Sequence, residues 1–221
     1  MITINETGTT VKETNSTHVN LSPENLLNSE AFILDEKAKI KVISHYFKQI
    51  MLTLGLDLED DSLKGTPDRV AKMYVQEIFR GLNPHNKPHL TLFENKYNYK
   101  QMLVEKNITV YSYCEHHFVP IIGKAHVAYF STGKVIGLSK INRIVQYYSQ
   151  RPQVQERLTE QIAQALKETL QTEDVAVLME ATHLCVVSRG VNDVSSTTVT
   201  SHYSGQFENN LIKREFRSCL D

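Results

Sequence analysis

Two short segments, Cys114-Glu115-His116-His117 and His183-Leu184-Cys185, constrain this chain more than any other feature. If they serve one ligand, the fold must bring them together across a long stretch of intervening sequence. Cys114 and His117 are close enough for one tight turn to offer a thiolate and an imidazole to the same metal. His183 and Cys185 sit at i and i+2 in an apolar run, and on a strand those positions face the same side. Cys114, His117 and Cys185 therefore read as three zinc ligands. Three protein ligands leave a fourth position for water, the pattern of a catalytic site. His116 and His183 then stand beside the metal as proton carriers. Two plainer readings stay open on the residues alone. A C-x-x-H pair is often no more than a buried cysteine acting as a small hydrophobe. If His183 were a fourth ligand, the site would be closed and structural. Cys219, near the C-terminus, reads as a bystander.

The 221 residues suffice for one large domain or two small ones. The formal net charge of -1 offers no basic excess, so a nucleic-acid backbone is not an expected partner. Three cysteines do not make a disulfide framework. A reducing compartment suits them, and the reading is a cytoplasmic protein. The first residues lack the basic start and apolar core of a signal peptide. No window is long and apolar enough for a membrane span.

Along the chain, residues 1–28 are rich in Thr, Asn, Ser and Glu and read as a flexible, solvated arm. Residues 29–100 read as an N-terminal helical region. Ile40, Ile43, Phe47, Ile50 and Leu54 form one apolar stripe of a helix that starts at Glu36, with Gly55 at its stop. Thr66-Pro67-Asp68 opens a second helix, with Thr66 as the expected cap and Val70, Met73, Tyr74 and Ile78 as its buried face. Gly81 marks its end, and a loop follows at 83–88. Residues 101–221 read as the catalytic domain. Strands are expected over 108–111, over 119–130 with a break at Gly123, over 135–138, over 175–187 and over 194–203. Helices over 140–150 (Ile141, Ile144, Val145 inward) and 154–170 (Leu158, Ile162, Ala165, Leu166 inward) cross between the strands. The plan is α+β: an antiparallel sheet with two helices on one face.

Four blocks carry a resemblance: Tyr113-Cys114-Glu115-His116-His117-Phe118, the run 137–143 (Gly-Leu-Ser-Lys-Ile-Asn-Arg), the run 153–158 (Gln-Val-Gln-Glu-Arg-Leu), and Met179 through Gly190. In this order, over roughly residues 60 to 210, they resemble GTP cyclohydrolase I. The resemblance implies a tunnelling fold whose sheets join between subunits into a barrel, in a homo-oligomer that the family builds as a decamer. It implies Zn2+ as cofactor, GTP as substrate and water as co-substrate. The guanine imidazole ring is opened, formate leaves, and 7,8-dihydroneopterin triphosphate forms as a precursor of folate-type pterins.

Carried over by position, the family's zinc ligands fall on Cys114, His117 and Cys185, and its acid–base histidines on His116 and His183. Glu156, with Gln155 beside it, matches the residues at the guanine edge. Read alone, Glu156 is an ordinary first-turn acid at a helix N-terminus. Ser139, Lys140, Arg143 and Arg189 match the phosphate contacts, and Arg69 matches an arginine brought by a neighbouring subunit. Ser139 would cap its helix, and Lys140 and Arg143 share a helical face. His126 and His202 read as core or interface histidines. A base deaminase would need H-x-E with P-C-x-x-C, and the sequence has neither. A non-catalytic assembly module with a structural zinc would account for the ligands but leave the spare histidines and the cations without a role.

Overall fold

The computed structural model describes residues 27, 31 and 33–221. The polar arm expected over 1–28 lies outside them, apart from Leu27. Helix α1 (Glu36–Thr53) starts where Asp35 accepts a hydrogen bond from the Ala38 N–H at 2.7 Å. Its expected apolar stripe exists, but among the described residues the core does not close over it. Met51 is the helix's buried residue, and Ile50 and Leu54 are 52% and 72% exposed. Ile43, Phe47 and Ile50 instead line a cavity of about 570 Å³ with Tyr74, Phe79 and Phe118. Periodicity says which residues share a face and leaves open what covers that face.

Helix α2 (Thr66–Lys72) begins one residue differently from the expectation. Gly65 holds the cap position, and the Thr66 hydroxyl accepts from Arg69 Nη2 at 2.7 Å instead of capping. The helix then widens into a π-helical turn, Met73–Ile78. Pro67 and Ala71 are the buried residues of α2, while Val70, Met73, Tyr74 and Ile78 are only half-buried, and the π turn changes the spacing of the face from Met73 onward.

Five strands form the main sheet, in the order β5-β2-β3-β6-β7. They are β2 (Leu103–Cys114), β3 (Pro120–Tyr129), β5 (Pro152–Gln153), β6 (Val175–His183) and β7 (Thr198–Tyr203). All neighbours are antiparallel except β2 and β5. A separate pair, β1 (Leu92–Glu94) with β4 (Lys134–Ile136), holds the shorter version of the strand expected over 135–138. The sheet is mixed only at its β5 edge, so the antiparallel expectation holds for the rest.

Gly123 does not break β3. The strand runs straight through it, paired to Val110 on one side and Ala181 on the other. A side chain there would put its Cβ 2.1 Å from the Glu180 carbonyl oxygen and 2.5 Å from Ala181 Cβ. The glycine serves close approach of two strands. Gly123→Ala is therefore expected to cost about 2 kcal/mol or more, read as a lower denaturation midpoint.

Helices α3 (Leu138–Ser149) and α4 (Gln155–Leu170) cover one face of the sheet. Ile141, Ile144, Val145, Leu158, Ile162 and Leu166 pack there on Val110, Ala125, Val127, Val177 and Met179. These are the helix faces that the apolar spacing picks out. The alternate residues Ala128 and Ala176 face the other way, onto Phe207 and the C-terminal helix α6 (Asn210–Ser218) through Phe216. The sequence reading did not identify α6. Its apolar residues are few, and its cap, Asn209 accepting from the Leu211 N–H at 2.8 Å, follows a single 3-10 turn.

The run expected as one strand over 175–187 is two elements. β6 ends at His183, and Leu184–Val187 form a short helical turn, α5. His183 and Cys185 are thus not same-face strand neighbours. The apolar residues 184–187, two of them the β-branched Val186 and Val187, fit either state, and periodicity over so short a run does not decide between them.

Candidate metal centre and active site

The sheet gathers the site at one of its ends. Tyr113 of β2 lies beside Pro120 of β3, Ile121 of β3 beside His183 of β6, and Cys114 beside Gln153 of β5. After Cys114 the chain turns sharply. The Phe118 N–H donates to the Cys114 carbonyl at 2.8 Å, and the Glu115 N–H to the Gln153 carbonyl at 3.0 Å. Phe118 occupies the left-handed region, φ 52°, unusual for a bulky residue. Its ring packs edge-on against Phe79, 5.0 Å between centroids, which holds the turn in place.

Cys114 is buried with Ile121 and Ala181, and Cys185 packs against this cluster from α5. The ligand atoms of Cys114, His117 and Cys185 lie within 4.8 Å of one another. Cys114 Sγ is 3.6 Å from His117 Nδ1. Two sulfurs and one imidazole suit a tetrahedral, borderline-soft ion with bonds of about 2.0–2.3 Å, after a small closing movement. Burial, and then the neighbouring Cys114 sulfur, push the Cys185 thiol up in pKa. A cation between the sulfurs would reverse that balance, since it stabilises both thiolates.

Arg189 follows α5 and donates from Nη1 to His117 Nε2 at 3.1 Å. A guanidinium has no acceptor, so this nitrogen carries the lone pair. Ligation through Nε2 would occupy that lone pair, and ligation through Nδ1 would move the hydrogen onto Nε2. Either way, metal binding releases Arg189 from His117.

The two remaining histidines differ in setting. His116 is exposed, with Nδ1 3.7 Å from Cys114 Sγ and Nε2 3.8 Å from Glu115 Oε1. His183 is half-buried, and its Nε2 lies 2.8 Å from Gln155 Oε1. It is not in the three-residue ligand group. Burial lowers its pKa below the ordinary imidazole value, with the Glu156 carboxylate opposing.

Gln155 is 1% exposed and Glu156 beside it is exposed, both in the first turn of α4. Ser139 does not cap α3. Gly137 holds that position, and no side chain caps it. Arg69 donates to the Ser62 carbonyl at 2.9 Å and to Thr66. Among the described residues, no hydrogen bond or ion pair joins Arg69, Ser139, Lys140 or Arg143 to the Cys114–His117–Cys185 group. His126 Nδ1 accepts from the Asn107 N–H at 3.3 Å, and His202 Nδ1 pairs with Glu160 at 2.9 Å, as befits interior histidines.

Sequence reasoning missed a brace beneath the turn. Buried Arg157 forms an ion pair with Glu115 and donates from Nε to Gln153 Oε1 at 3.0 Å. The Gln153 amide in turn donates to the Tyr148 carbonyl and to Gln161, both at 2.9 Å. Both ends of the ion pair lie in the quoted blocks, but nothing in the sequence links positions so far apart. Arg157→Met should leave Glu115 with only its longer contact to His116 and loosen the turn. We expect metal affinity to fall about 10- to 100-fold in chelator competition, with the fold retained by circular dichroism.

The α+β chain thus carries, at the end of its sheet, a Cys-His-Cys group that could hold a metal ion. A family model described as GTP cyclohydrolase I matches residues 43–220. Among similar proteins, GTP cyclohydrolase 1 of Flavobacterium johnsoniae is 57% identical over 204 residues, covering 92% of each chain. GTP cyclohydrolase 1 of Vibrio parahaemolyticus is 54% identical over 181 residues, covering 82% of this chain and 83% of its own. That of Aeromonas hydrophila is 55% identical over 175 residues, 79% and 80% of the two chains. The chain belongs to the GTP cyclohydrolase I family. Among the described residues, no helix is long and apolar enough to cross a membrane.

Proposed function

We propose that this protein is a zinc-dependent GTP cyclohydrolase I. It opens the five-membered ring of the guanine of GTP, releases C8 as formate and forms 7,8-dihydroneopterin triphosphate. The observation that carries the reading is the convergence of Cys114, His117 and Cys185 within 4.8 Å, in a chain of this family. Those three residues would hold one Zn2+, which when bound lowers the pKa of water and supplies a nucleophile at neutral pH.

The chain's own residues do the rest. His183 takes up a proton at the site and then gives it to a guanine ring nitrogen. Exposed His116, with Nδ1 3.7 Å from Cys114 Sγ, is the second proton carrier. Glu156 accepts hydrogen bonds from N1–H and the exocyclic amine of guanine. Arg189, released from His117, turns to the triphosphate.

Ser139, Lys140 and Arg143 at the start of α3 complete the phosphate site, with Arg69 from a neighbouring subunit. A site shared between subunits rests on the family resemblance, which brings Arg69 from a neighbour. We accordingly propose a homo-oligomer, a decamer in which sheets join into a barrel, with residues 29–100 and 101–221 as helical and catalytic regions. Free thiols suit a cytoplasmic setting.

GTP incubated with the zinc-loaded protein should give formate and a dihydropterin triphosphate in equal amounts. Conversion without formate would refute the reading. Lys140→Ala and Arg143→Ala should weaken GTP about tenfold, as loss of a charge-assisted contact does, and leave guanosine binding unchanged. Equal losses for both ligands would remove these residues from the phosphate site.

A further inference from the structure

The side chain of Gln155 is clamped in one orientation. Its Nε2 faces the Met179 carbonyl at 3.2 Å, the Thr198 carbonyl at 3.0 Å and the Thr200 hydroxyl at 3.1 Å. Carbonyl oxygens only accept, so the amide NH2 must point there. Flipping the amide would set Oε1 against two carbonyl oxygens. The hydroxyls fix the direction further. Thr159 Oγ1 donates to the Gln155 carbonyl at 2.9 Å, so in its 2.7 Å contact with Thr200 it must be the acceptor. The Thr200 hydroxyl spends its hydrogen on Thr159 and is left to accept from Gln155.

Gln155 Oε1 therefore points at His183 Nε2, 2.8 Å away. An amide oxygen only accepts, so that His183 nitrogen carries its hydrogen. In the neutral ring Nδ1, which makes no hydrogen bond to the described residues, keeps the lone pair. Every N–H of the Gln155 amide is already engaged within the protein, so none is left to donate to a substrate.

We infer that Gln155 is a positioning residue for His183: the Met179–Thr198–Thr200 clamp fixes its amide, and the amide fixes which imidazole nitrogen exchanges protons during ring opening. This rests on the proposed role of His183 and assigns Gln155 a different task from the guanine contact that family resemblance implies. A guanine contact would act on substrate affinity. A tautomer clamp acts on turnover, because a wrongly placed hydrogen leaves His183 bound but unproductive.

The test compares Gln155→Leu, Thr200→Val and His183→Ala as zinc-loaded, full-length proteins. For Gln155→Leu we expect kcat to fall about 10- to 100-fold, the usual effect of losing an orienting partner. KM for GTP and zinc content should stay within about twofold. Thr200→Val, which leaves Gln155 in place, should show the same pattern with a smaller loss, and it decides the matter if Gln155→Leu does not fold. Long-range 1H–15N spectra of 15N-histidine protein give a direct readout, with the His183 signal assigned by its loss in His183→Ala. The wild type should show hydrogen on Nε2, and Gln155→Leu a mixture of tautomers. A rise in KM with unchanged kcat, or wild-type His183 with its hydrogen on Nδ1, would overturn the inference. If His183→Ala turns over normally, the reading of His183 fails with it. If His183→Ala is crippled while Gln155→Leu is not, only the role of Gln155 falls.

Discussion

Cys185→Ser is expected to lose metal and turnover together. Cys185 reaches the centre from α5, against Cys114 in a small apolar cluster. A serine hydroxyl is a poor ligand for a borderline-soft ion and stays protonated at neutral pH. Its removal leaves one sulfur and one imidazole, too few to retain the ion against dilution. With the ion goes the activation of water, worth several kcal/mol of barrier, so turnover should fall by about a thousandfold or more. The fold should survive, because the core under α3 and α4 does not include Cys185. Metal analysis and formate release on the same sample check this. Metal loss with turnover intact would separate the two.

His183→Ala is expected to do the opposite with the metal. His183 lies outside the three-residue ligand group and spends Nε2 on Gln155. Zinc should be retained at the wild-type level. Turnover should drop about 10²- to 10⁴-fold, the range for loss of a general acid–base group. Zinc loss on this substitution would instead make His183 a fourth ligand and the centre structural. The two substitutions thus divide ion holding from proton transfer.

Much of this was legible in the sequence, and the reasons differ by element. The inward faces of α3 and α4 follow from apolar spacing, because both helices lie flat on a sheet that buries one side of each. The α1 stripe was equally legible, yet Ile50 stays exposed among the described residues, since spacing does not name the covering partner. Cys114, His117 and Cys185 were found by residue type, although the strand geometry used to pair His183 with Cys185 was mistaken. Thr66 and Ser139 are good capping residues by chemistry, but Gly65 and Gly137 stand at those positions, one and two residues earlier. The Arg157–Glu115 pair and the threonine clamp on Gln155 were not legible. They depend on which side chains meet across the sheet, and that is set by register and by the path of β5.

The central claim is that one ion, held by Cys114, His117 and Cys185, is required for ring opening. Its most direct test is a titration of metal-stripped protein with Zn2+, following bound zinc and the initial rate of formate release from GTP on the same samples. Formate release should rise in proportion to zinc and level off at one ion per chain. Full formate release from protein shown to carry no metal would contradict it.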